Sequence, residues 1–242
     1  MEKIVPAAYR EAIFRGGRPR WLKGISRLLL ALGFAFWAIP AWSAELNEMV
    51  EKADQGDVEA QVGLAEKYRK GEDLPKNEAE AAKWYRKAAE QGSADAQANL
   101  GYMYRTGEGV PKDDAQAAQW YRRAAEQGEA DAQANLARMY RTGEGVPKDD
   151  AQAARWLGKA AEQGAADAQT DLALMYANGE GVPRNYEKAA EWYRKAAEQG
   201  DARAQHGLGI MYHNGFGVKR DAAEAKRWFR KAAEQGYYGK TP

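Results

Sequence analysis

From residue 57 to residue 236 the apolar positions fall into two alternating stripes. Within residues 93–128, Ala96, Leu100, Met103 and Tyr104 sit at offsets 0, 4, 7 and 8. Ala117, Trp120, Tyr121, Ala124 and Ala125 follow at offsets 0, 3, 4, 7 and 8. Each is the apolar face of a helix with 3.6 residues per turn. Polar residues fill the positions between, and a Gly/Pro stretch, Gly107–Pro111, separates the two stripes. The pattern predicts a pair of amphipathic helices joined by a turn.

That pair recurs every 36 residues. Trp84, Trp120, Trp156, Trp192 and Trp228 keep the period, as do Leu64, Leu100, Leu136, Leu172 and Leu208, and Tyr68, Tyr104, Tyr140, Tyr176 and Tyr212. Ala-Gln recurs at residues 60–61, 96–97, 132–133, 168–169 and 204–205. Gly92, Gly128, Gly164, Gly200 and Gly236 each close a Glu-Gln-Gly triplet. Five units result, 57–92, 93–128, 129–164, 165–200 and 201–236. A helix pair this short cannot bury its apolar face alone, so copies must stack into a solenoid. The Leu, Tyr and Trp series are then expected in the shared core.

The unit boundaries carry their own chemistry. Gly128 and its equivalents suit a left-handed residue just past a helix end. Asp113 with Gln116 three residues on reads as a helix start of capping-box type, repeated at Asn77/Glu80, Asp149/Gln152 and Asp221/Glu224. Asn185/Lys188 keeps the cap and loses the reciprocal partner. The stretch Gly107-Glu108-Gly109…Lys112 has the look of a phosphate loop. Such a loop follows a strand and leaves the next helix start bare. Here a helix precedes it, and Asp113 and Asp114 occupy the helix start, where they would repel a phosphate.

The turn Y-x-x-G-x-G-V-x-x-D, followed by A-x-x-W-Y-x-K-A-A-x-x-G, resembles the Sel-1-like repeat, a short relative of the tetratricopeptide repeat. The resemblance spans residues 57–236, with the helix at 45–56 as a half-unit closing the N-terminal end. It implies an all-α, right-handed superhelix of antiparallel helix pairs. It also implies a non-catalytic scaffold for protein–protein contacts, with the first helices lining a concave groove. Some Cys-rich relatives are linked to penicillin binding or hydrolysis, and this chain has no Cys. Three units depart from the pattern, at Asp73-Leu74, at Leu157-Gly158 and at Phe216, so local geometry there is open.

Charge separates the ends of the chain. Residues 1–44 carry seven Lys/Arg and two Glu, a net of +5; removing these from the chain's 36 basic and 35 acidic residues leaves 29 and 33, a net of −4. A basic stretch followed by the apolar run 28–39, Pro40 and Ala41-Trp42-Ser43-Ala44 is the order of a secretory signal, with cleavage expected after Ser43 or Ala44. Its helix would span roughly 18 Å, short of a hydrocarbon core of about 30 Å. An exported, periplasmic or secreted protein with no membrane span after cleavage is expected; a retained signal-anchor is the alternative. The mildly acidic body has no basic stripe for nucleic acid.

Catalytic material is sparse. There is no Cys, and His206 and His213 are the only His, two helical turns apart and so unable to share one metal. No cofactor and no metal site is expected. Pairs such as Arg86/Glu90, Arg122/Glu126 and Arg194/Glu198 read as solvated helix faces. What varies between units is a stripe of the first helix: Asn99, Tyr102, Arg105; Asn135, Arg138, Arg141; Asp171, Leu174; His206, Ile210, His213. It is the candidate contact surface for a protein or peptide, polar at one end and apolar at the other. Glycan binding by envelope machinery is the alternative. Only a short tail follows Gly236, so the last helix pair is expected to be incompletely covered, an edge open to self-association.

Overall fold

The computed structural model describes residues 44–239. Of the expected signal segment, only Ala44 lies within them. The described chain is all helix and turn, an all-α repeat fold. A single helix, α1 (Ala44–Asp54), precedes five pairs. These are α2 (Val58–Lys70) with α3 (Glu78–Glu90), and α4 (Ala94–Thr106) with α5 (Asp114–Glu126). Then come α6 (Ala130–Thr142) with α7 (Asp150–Glu162), α8 (Ala166–Asn178) with α9 (Tyr186–Glu198), and α10 (Ala202–Asn214) with α11 (Ala222–Glu234). Each helix packs on the one before and the one after it. Among the described residues no helix is long and apolar enough to cross a membrane.

The helix ends follow from the sequence. Asp113 Oδ1 accepts from the Gln116 amide at 3.0 Å, and Asn77, Asp149, Asn185 and Asp221 do the same for their helices. After α5 the chain turns through Gly128 at φ 102. The Gly128 and Glu129 amides reach back to the Ala125 and Ala124 carbonyls, both at 3.1 Å, which is a Schellman ending. The second turn glycine does something else. A Cβ on Gly145 would lie 2.0 Å from the Asp114 carbonyl oxygen of the previous unit, so the turn rests directly on the start of α5.

The core is built from small residues at close approach. Leu64, Leu100, Leu136, Leu172 and Leu208 are buried, together with Met103, Met139, Met175, Met211 and many Ala. The fully buried aromatics are Tyr85 and Tyr121, the residues after Trp84 and Trp120. This corrects the expected tryptophan core. Trp120 and Trp228 are buried, while Trp84, Trp156 and Trp192 are only partly so and flank the core. A cation three residues on lies over each ring, from Lys87 over Trp84 at 3.7 Å to Arg123 over Trp120 at 4.5 Å. The indole is too large for the Ala-lined interior, so its free face is roofed by the alkyl stem and charge of its own helix.

Tyr104, Tyr140 and Tyr212 are likewise half-buried, and each phenol accepts from an arginine one helix earlier, Arg86, Arg122 at 2.6 Å and Arg194 at 3.3 Å. These arginines were expected to pair with Glu90, Glu126 and Glu198 on their own helices. They instead tie one unit to the next. Gly158 takes the arginine's place in the third unit, and Tyr176 has the Lys188 ammonium over its ring at 5.2 Å.

A second tie runs through the interior. Buried Gln133 donates to the Ala125 carbonyl at 3.0 Å and accepts from Gln163 at 2.9 Å. Gln61, Gln97, Gln169 and Gln205 repeat both bonds, with Gln91, Gln127, Gln199 and Gln235 as donors. Every buried amide is thus satisfied at a unit junction, where leaving one unpaired would cost about 1–3 kcal/mol. The Ala-Gln and Glu-Gln-Gly series are the two halves of this ladder.

Candidate functional site

The first helices α6, α8 and α10 lie side by side, as side-chain bonds between them show. Arg203 on α10 reaches Asp167 at 2.8 Å and Asp171 at 3.2 Å on α8, and Arg141 on α6 lies 3.8 Å from Asp171. Asp171, expected to face a partner, is therefore held between two arginines and joins three consecutive units. Arg203 was missed. Its signal was present, because Glu59, Asp95, Asp131 and Asp167 hold that repeat position in the four units before it.

Tyr102 and Arg138 are exposed in the polar half of this face. The Tyr102 hydroxyl donates to Glu108 at 3.1 Å, which holds its phenol above the usual range, and the Arg105 guanidinium lies 5.5 Å from its ring. Asn99 and Asn135 are partly buried and donate to the Asp95 and Asp131 carbonyls of their own helices, both at 2.9 Å. Asn135 also accepts from Arg138 at 2.7 Å. Arg105 leans inward: burial pushes the Tyr121 phenol up, and the Arg105 guanidinium beside it pulls it partly back. Arg69 stands in the same relation to Tyr85.

The apolar half holds a cleft of about 270 Å³ between α8 and α10. Leu174, Ile210 and Phe216 line it, with Tyr186, Tyr193 and Met211 beneath. Leu174 and Phe216 are 41% and 40% exposed. Phe216 stacks on Tyr186 at 4.7 Å and an interplanar angle of 12°. In earlier units these two positions hold acids, Glu144 and Asp114 for example. Tyr186 and Phe216 were missed as site residues. The Phe216 departure was visible in sequence, but its partner 30 residues earlier was not. Burial drives the Tyr193 phenol up to about 12.

One expectation needs correction. His206 does not belong to this face. It is buried, with Phe229 and Tyr237 rings at 5.2 and 5.5 Å, and burial lowers its pKa. Ala98, Ala134 and Thr170 hold this position in earlier units, facing the following helices. In the last unit the tail takes their place, with Gly239 against the His206 ring, so the C-terminal edge is partly covered. His213 is exposed at the C-terminal end of α10. Lys112, in the turn that resembles a phosphate loop, lies 3.4 Å from Asp114 across an exposed pair. No group of three His, Cys, Asp or Glu able to hold a metal occurs among the described residues.

Comparison with known proteins agrees with this architecture. The sequence model of the Sel1 repeat matches residues 58–93, 94–129, 130–164, 166–201 and 202–237. Among solved structures, the chain is similar to c5321, described as a protective antigen of uropathogenic Escherichia coli strains displaying an SLR fold. The identity is 41% and the TM-score 0.77, over 79% of this chain and 41% of that one. This chain thus spans less than half of that protein's length. It is also similar to a Sel1 repeat protein from Oxalobacter formigenes, at 34% identity and a TM-score of 0.72, over 78% of this chain and 84% of the other. No curated protein matches the sequence. Five matched repeats and the helix pairs that realise them place the chain in the Sel1 repeat family.

Proposed function

We propose that this protein is a non-catalytic scaffold that binds an extended segment of a partner protein along the face of its first helices. Sel1 repeats are generally protein-interaction modules, and the fold is generally non-enzymatic. One observation carries the reading. The core, the turns and the glutamine ladder recur from unit to unit, whereas Tyr102, Arg138 and Leu174 hold one repeat position, are exposed, and differ in every copy. A surface that only had to meet water would need neither the 41% exposure of Leu174 nor the apolar cleft beside it. The reading is tested by capture from cell extract with wild type and a Tyr102→Ala/Arg138→Ala/Leu174→Ser variant. Partners retained equally by both would contradict it. A glycan-binding row of indoles is disfavoured, because a Lys or Arg already covers each repeat Trp.

We further propose that the protein acts outside the cytoplasm, on the signal-like order of residues 1–44. Sequencing the N-terminus of protein isolated from its own cells should start at Ala44 or Glu45. An intact Met1 would oppose cleavage.

A further inference from the structure

The first-helix face is divided lengthwise as well as end to end. Near the helix starts runs an acidic row, Asp95, Asp131 and Asp167. Seven to ten residues further along, two to three turns or roughly 10–15 Å, runs a second track. On α4 and α6 it holds Tyr102, Arg105, Arg138 and Arg141; on α8 the same positions hold Leu174 and Ala177, and on α10 Ile210 and His213. The cleft lies on this second track, since Leu174, Ala177 and Ile210 line it.

Several acids near the track are engaged, while Glu144, at the repeat position of Glu108 and Glu180, is exposed. Glu108 accepts from Tyr102 at 3.1 Å, Glu66 pairs with Lys70 at 3.2 Å, Asp171 is held by Arg141 and Arg203, and Glu180 accepts from Asn178 at 2.8 Å. Arg138 spends one nitrogen on Asn135 and is otherwise open. The track therefore offers the Arg138 guanidinium in its first half and an apolar hollow in its second.

We infer that this track takes an extended peptide segment carrying carboxylates at one end and one large aliphatic or aromatic side chain at the other. The inference rests on the groove reading and specifies its ligand. The guanidinium fork of Arg138 matches a carboxylate, and the hollow among Leu174, Ile210 and Phe216 accepts the apolar anchor. Neighbouring helices stand about 8–10 Å apart, so the Arg138 helix lies about 12–15 Å from the cleft. At about 3.3 Å per extended residue, the two features are separated by roughly four or five positions.

The test is selection of a phage-displayed random dodecapeptide library on the protein, followed by fluorescence anisotropy of the enriched peptides, fluorescein-labelled. Enriched sequences should pair acidic residues with a large apolar residue about four or five positions away. Leu174→Glu should weaken them by about tenfold or more while circular dichroism stays unchanged, as the exposed position allows. Arg138→Glu should weaken them similarly and flatten their salt dependence. Peptides weakened by these variants but lacking the acid–apolar pairing would overturn this inference and leave the groove reading standing. No enrichment, or equal binding to all three proteins, would overturn both.

Discussion

Gly128 and Gly145 both have positive φ, 102° and 68°, for different reasons. Nothing lies within 4 Å of a Cβ added at Gly128, whereas one at Gly145 would strike the Asp114 carbonyl. Gly128→Ala should therefore cost only the left-handed backbone term, about 1–2 kcal/mol. Gly145→Ala should cost clearly more in urea unfolding, because backbone must also shift. Equal losses would contradict the contact. The sequence marked both glycines as turn residues, yet it could not separate them, since the atom that matters lies 31 residues away. Tyr193 offers a second test. Its folded pKa of about 12 lies above the unfolded value of about 10, so the folded state holds the proton longer. The stability from this group is full below about pH 10 and falls as pH rises toward 12, by about 2–3 kcal/mol. Urea midpoints of Tyr193→Phe should fall less across that window, and parallel falls in both proteins would refute the assignment.

At the scale of elements, the glutamine ladder holds one pair to the next. Gln133→Leu would remove its bonds to the Ala125 carbonyl, which keeps the Gly128 amide, and to the exposed Gln163, and should cost about 0.5–1.5 kcal/mol for each bond lost. A double-mutant cycle with Gln163→Leu should give a coupling of about 0.5–1.5 kcal/mol, and strict additivity would mean the bond contributes nothing. Helix starts, helix ends and the leucine stripe were readable because they depend on neighbours within a turn or two. The ladder was visible as two recurring glutamines but not as a bond, since they lie 30 residues apart and meet only when the two helices of a unit pack together. The tryptophans misled for a related reason: regular recurrence of a large apolar residue suggests burial, while an Ala-rich interior has room only for its edge. Phe216 similarly gained its meaning only when α9 brought Tyr186 beneath it.

For the described body as a whole, the ends and the asymmetry of the face matter most. At the N-terminal end α1 buries Leu46 and Ala53 on the first unit, with Leu64 and Leu74. At the other end Tyr237 covers His206. Burial lowers the His206 pKa, so the folded state resists its protonation; stability from this group is full above the unfolded value of about 6.5 and is lost as pH falls through the folded one. His206→Thr, the residue type at the matching position 170, should remove that acid sensitivity from urea midpoints. An unchanged pH profile would mean the ring is not held uncharged by the tail. Between these ends the first-helix face runs from Tyr102 and Arg138 to the cleft at Leu174, the surface on which the partner is proposed to lie. The direct measurement is site-specific photo-crosslinking in cells, with the crosslinking amino acid at residue 102, 138 or 174, or at exposed second-helix positions 119, 155 or 191. Adducts with a common partner are expected from the first set and none from the second; equal crosslinking from both sets, or from the second alone, would contradict a partner on the first-helix face.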